Sequence, residues 1–122
     1  MTIRPLSVFA AAIAVGVSAL ALPALAEQEL SKEESCGYEG QVMAAVQQAR
    51  LDRVAQDKVA AHIAAGNPGW PAQFNAAIPG MADYIYQLRR KDLRGNDFGA
   101  IWKDQCIAVW DQRQEMIKQL NN

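Results

Sequence analysis

Two cysteines, Cys36 and Cys106, stand 70 positions apart in a chain of 122 residues. That distance excludes a CxxC redox pair and leaves a structural bond joining the early part of the chain to its last helix. Closing so long a loop removes about 4 kcal/mol of unfolded-chain entropy in the simple polymer picture. A domain of this size buries only a modest core, so a staple of that strength constrains the fold more than any other single feature. It requires an oxidising compartment.

The first 26 residues supply one. Arg4 is the only charge before Glu27, and an apolar run from Leu6 to Leu22 ends in Pro23 and Ala24-Leu25-Ala26. A positive start, an apolar middle and small residues at the cut describe a secretory signal peptide. Cleavage is expected before Glu27, leaving residues 27–122 as a single helical domain. The alanine content, Pro23 and the acidic residues that follow argue against a retained membrane anchor. No Arg-Arg pair and no cysteine mark the cut, so export of an unfolded chain without a lipid anchor is expected. The expected location is the periplasm of a bacterial envelope, with no membrane attachment after cleavage.

Without Arg4 the chain has 11 basic and 13 acidic side chains, a net charge of about −2, which argues against nucleic acid as partner. Glu27, Glu29, Glu33, Glu34 and Glu39 make an acidic lead-in, whereas Arg89, Arg90, Lys91 and Arg94 make a basic cluster relieved by Asp92. The basic group reads as the solvated C-terminus of a helix, where cations are favoured.

Apolar spacing is helical throughout. Ser31 and Glu34 form an S-x-x-E capping pattern, although Gly37 and Gly40 weaken the first turns and allow a start nearer Tyr38. The stripe Tyr38, Val42, Ala45, Val46, Ala49, Ala60 and Ile63 predicts one helix, stopped by Gly66 and Pro68. Residues 66–70 form a corner. Phe74, Ile78, Met81, Ile85 and Leu88 then predict a helix over 71–92, kinked at Pro79. Gly95-Asn96-Asp97 supplies a stop and a new N-cap. A last helix over 97–120 follows, with a core face of Phe98, Ile101, Trp102, Val109, Met116 and Leu120. Three helices with short connections predict an up-down-up bundle, all-α and stapled by Cys36–Cys106.

Some residues break this plain pattern. Arg53, Gln56 and Gln105 fall on core faces, and with Trp102 as a wall they define a candidate pocket for a small molecule or anion. Trp70 in the corner, with Trp110 and Ile117 flanking the last core face, defines a candidate partner surface. His62 is the only histidine and has no ligand set around it, so neither metal nor cofactor is expected. No nucleophile elbow, phosphate loop or H-E-x-x-H occurs, and a pair such as Asp104 and Asp111 reads as a solvated face. The chain is therefore expected not to be an enzyme.

An exported, helical chain of this length held by one disulfide resembles the small periplasmic acid-stress chaperones, and no residue role is carried over from them. The resemblance implies a protein that exposes apolar surface when its carboxylates are protonated. The leading expectation is a non-enzymatic interaction module, of the chaperone or accessory-subunit kind, binding another envelope protein or a second copy of itself as a homodimer. The alternative is a binder of small molecules or anions built around Arg53.

Overall fold

The first helix starts where its cap predicts. The Ser31 hydroxyl accepts from the Glu34 N–H at 3.1 Å, and the Glu34 carboxylate accepts from the Ser31 N–H at 3.0 Å. This closed capping box satisfies two donors that a helix start leaves open. The computed structural model describes residues 29–122; the expected leader and its cleavage before Glu27 lie outside the described residues. From its cap, α1 runs Lys32–Leu51. There it stops, twelve residues short of Ile63.

The stop is made by Arg53. Its φ of 63° places it in the left-handed region, the Val54 N–H donates to the Ala49 carbonyl, and the Arg53 N–H donates to the Arg50 carbonyl. This is the Schellman closure that usually has glycine at its left-handed position. With arginine there, the pattern of residue types gives no warning. The chain turns through Gln56–Lys58 and re-forms as α2, Val59–Ala65. The reset exchanges the buried positions, so Val59 is buried and Ala60 exposed.

The corner after Gly66 is as expected, but the helix predicted over 71–92 is three pieces. Ala72–Ala77 is a 3₁₀ segment, α3 spans Ile78–Ile85, and α4 spans Arg90–Arg94. Pro79 opens α3 in its first turn, where no backbone donor is needed, instead of kinking a longer helix. The apolar phase nevertheless carries across the junction, because Phe74, Ile78, Met81 and Ile85 are all buried. Asp97 caps the next helix, accepting from the Ala100 N–H at 3.0 Å. That helix is α5, Phe98–Ala108, and a break in backbone geometry at Val109 separates it from α6, Trp110–Leu120. The described residues are thus all-helical, in six helices where a three-helix bundle was expected.

The core lies on the side of α1 that meets α2, α3 and α4. Val42, Met43, Val46 and Ala49 pack there with Val59, Ile63, Ile78, Met81, Ile85 and Leu93. A second face of α1 meets α5 through glycine. A Cβ on Gly99 would sit 2.7 Å from the Gly40 carbonyl oxygen and 2.9 Å from the Ala44 Cβ. Only hydrogen fits at such a distance, so two backbones are in direct contact at this seam. One turn before Gly40, Cys36 bonds Cys106 with a Cα–Cα distance of 5.5 Å. Gln47 joins the α4–α5 connection to α1: its amide nitrogen donates to the Leu93 and Asn96 carbonyls at 2.7 and 2.8 Å, and its amide oxygen accepts from the Phe98 N–H at 3.2 Å.

Candidate functional site

The seam between α1 and α5 ends in a polar latch. Glu39, on the second turn of α1, receives the Trp102 indole N–H at 3.0 Å and both terminal nitrogens of Arg113 at 2.7–3.2 Å. The Glu39 side chain is only 15% exposed and that of Arg113 35%, so the pair is less screened than a surface ion pair. Arg113 also donates to the Cys106 sulfur at 3.2 Å and lies 5.7 Å from the Trp110 ring centre. Together these contacts set the direction in which α6 leaves the body of the protein.

Beyond the latch and half-buried Gln114, residues 115–122 are exposed, and no residue of α6 is buried. Val109 is 44% exposed, Met116 62%, Ile117 43% and Leu120 79%. The expected core face of the last helix is therefore correct only in part. Phe98 and Trp102 pack against the core, whereas Ile101, Val109, Met116 and Leu120 are exposed. At about 100° per residue along α6, Met116 and Leu120 share one stripe with Ile117 at its edge, and exposed Val109 sits at the break before it. Beside the latch, Trp102, Gln105, Cys106, Val109 and Arg113 line an open cleft of about 280 Å³.

The four residues of the expected pocket do not converge. Arg53 is exposed at the end of α1, not on a core face, because the Schellman closure turns it outward. Gln56 is also exposed, and its amide donates to Asp83 at 2.6 Å. Trp102 is bound to Glu39, and the twelve residues from Glu39 to Leu51 span about 18 Å of helix. Gln105 stays with Trp102 at the cleft beside the latch. The proposed pocket is thus two separate places.

The expected partner surface also divides. Trp70 packs against the core, donates its indole N–H to Asn75 at 2.8 Å, and faces Ala45, Ala49, His62 and Ile63. Trp110 is half-buried beside Leu30, Ser35 and Gln73 at the α1 start. Only Ile117 joins the exposed α6 stripe. Glu39 and Arg113 are the residues that sequence reasoning missed. A carboxylate in α1 and an arginine 74 positions later give no local signal of pairing.

A second polar cluster occupies the opposite end of α1. Arg50 lies 5.1 Å from the Tyr86 ring centre and donates to the Leu88 carbonyl at 3.4 Å. The Tyr86 hydroxyl donates to the Val54 carbonyl at 2.6 Å. Burial pushes the Tyr86 phenol above its ordinary value, partly opposed by the Arg50 charge. Among the described residues no group of three His, Cys, Asp or Glu side chains is placed to hold a metal, and no helix is long and apolar enough to cross a membrane. No protein-family model matches the chain, and no curated protein or solved structure is similar enough to match it.

Proposed function

We propose that the protein is an exported, non-enzymatic interaction module of the bacterial envelope, a small chaperone or accessory protein that docks through α6. The exposure of Met116, Ile117 and Leu120 on a helix held at its base by the Glu39–Arg113 latch, with exposed Val109 at the break before it, carries this reading. A helix that served only stability would bury that stripe, because apolar area contributes about 25 cal/mol per Å² removed from water. Here the stripe remains available for a partner's apolar groove or helix. The latch gives it a fixed direction, which lowers the ordering cost of association.

The test is a photoreactive side chain placed at position 117 in the native cell, with a second at exposed Lys58 as control. A discrete adduct at 117, absent at 58 and lost when Leu120→Glu and Met116→Glu are introduced, is the expected result. The mass of the adduct separates a second copy of the chain from a larger envelope protein. An adduct pattern identical at the two positions, or unchanged by the glutamates, refutes docking through α6.

A further inference from the structure

The turn that ends α1 and the short helix α4 meet in one corner and carry four arginines between them. Arg50 and Arg53 come from the C-terminal end of α1, while Arg90 and Arg94 come from the first and last positions of α4. The two elements are held together beside this corner, because Gln47 grips the Leu93 and Asn96 carbonyls and Arg50 reaches the Leu88 carbonyl. The sequence pattern assigned the basic cluster of 89–94 to a helix C-terminus. In the fold, Arg90 instead begins α4 and faces the end of a different helix that carries two more positive charges.

None of the four has an acid within ion-pair distance among the described residues. Among the described residues the ion pairs within 4 Å are Arg89–Asp92, Arg113–Glu39 and Lys118–Glu115. Of the nearest carboxylates in sequence, Asp92 is paired with Arg89 at 2.8 and 3.3 Å, whereas Asp52 keeps its charge, accepts from the neutral Gln48 amide at 2.9 Å and lies beyond ion-pair distance of all four. The Nε atom of Arg50 is enclosed and has no hydrogen-bond partner. Its guanidinium is nevertheless fixed, stacked on a tyrosine whose hydroxyl is itself tied to Val54. Arg53 is presented from a left-handed backbone position that most arginines avoid. The crowding registers on Arg90, whose guanidinium is held below its ordinary value first by Arg53, then by burial, Arg50 and Arg94.

We propose that the corner formed by Arg50, Arg53, Arg90 and Arg94 binds a phosphoryl group, carried either by a soluble phosphate compound or by a phospholipid headgroup. Planar guanidinium groups drawn from two adjacent elements suit the several oxygens of a tetrahedral oxyanion, and a doubly charged group offsets more of their mutual repulsion than a carboxylate does. The site lies at the far end of α1 from the latch and α6, roughly 18 Å of helix from Glu39, and does not rest on the α6 reading.

The folded, oxidised protein is titrated with inorganic phosphate near neutral pH, by calorimetry and by thermal unfolding, against sodium chloride at matched ionic strength. Wild type is expected to bind saturably and to melt higher in phosphate than in chloride. Arg53→Gln and Arg90→Gln are each expected to weaken binding about tenfold or more, as loss of a charged hydrogen bond does. Arg90→Gln is also expected to melt higher than wild type in chloride, since it relieves repulsion, which a general folding defect would not do. Exposed Arg89→Gln, whose native charge is spent on Asp92, serves as the neighbouring control. Vesicles of phosphatidylcholine with and without phosphatidylglycerol separate the sources: binding to the anionic vesicles that phosphate displaces points to the headgroup, and phosphate binding alone to a soluble ligand. Equal phosphate responses in wild type and the Arg53→Gln/Arg90→Gln double variant, or no saturable binding to either probe, overturn the proposal.

Discussion

The Gly40–Gly99 contact makes a quantitative prediction in which two apparently equivalent substitutions have opposite signs. Alanine is favoured over glycine inside a helix by roughly 1 kcal/mol. At Gly37 in α1 a new methyl would meet nothing within 4 Å, so Gly37→Ala should stabilise the fold by about 0.5–1 kcal/mol. At Gly99 the same methyl would lie 2.7 Å from the Gly40 oxygen and 2.9 Å from the Ala44 Cβ. Carbon atoms rest about 3.5–4.0 Å apart, so α1 and α5 must separate by roughly 0.5–1 Å. The disulfide beside the seam opposes that movement. Overpacking of this kind costs about 1–3 kcal/mol, and the enclosed backbone atoms place Gly99→Ala at the upper end. After the gain in helix preference, a net loss of about 1–2 kcal/mol remains. In a domain of this size that corresponds to a drop in Tm of roughly 5–15 °C. Urea unfolding of wild type and both variants, with the disulfide intact, measures the three stabilities on one scale. If Gly99→Ala proves as stabilising as Gly37→Ala, the backbones are not in contact and the account of the seam is wrong.

Other perturbations test the remaining supports. Reducing Cys36–Cys106 should lower unfolding stability by about 4 kcal/mol, a large share of the total for a small domain, read as a shift of the urea midpoint. Gln47→Ala removes an amide that makes three hydrogen bonds to backbone groups, and should cost about 2–3 kcal/mol in the same assay. The phenol of Tyr86 titrates above 10.0 in the fold, so its contribution is intact below that pH and is lost as the pH rises through the raised value. Tyr86→Phe should remove that alkaline step from a stability–pH profile, while lowering stability at neutral pH by about 1 kcal/mol through loss of the Val54 bond.

What was legible in the residues was what short stretches decide by themselves. Ser31 and Glu34 announce a capping box because both partners lie in one turn, and Gly66 with Pro68 ends a helix by local chemistry. The disulfide was legible because only two cysteines are available to pair. The stop at Arg53 was not, since an arginine accepts a left-handed conformation here only because Val54 and Ala49 close the turn around it. Pro79 was assigned to a kink because a 3₁₀ segment entering α3 keeps Phe74 in phase with Ile78, and periodicity does not distinguish that junction from a bent helix. Gly40 looked like a weak place in a helix, whereas its worth lies in the missing side chain opposite Gly99. The exposed face of α6 was read as core because an apolar stripe has the same spacing whether or not anything covers it. The arginine corner depends on where α1 stops, so an error at Arg53 hid it.

The bond between Cys36 and Cys106 also changes what a single cut does. A protease that opened the exposed corner between Gly66 and Pro71 would separate α1 and α2 from α3 to α6 in sequence, yet the disulfide crosses that division. The glycine seam also has one wall on each fragment. A nicked molecule would therefore keep its full mass until a reductant was added, and its halves would still hold each other in register. Covalently, residues 36–106 form a ring, and a ring must be cut twice before it yields a separate piece.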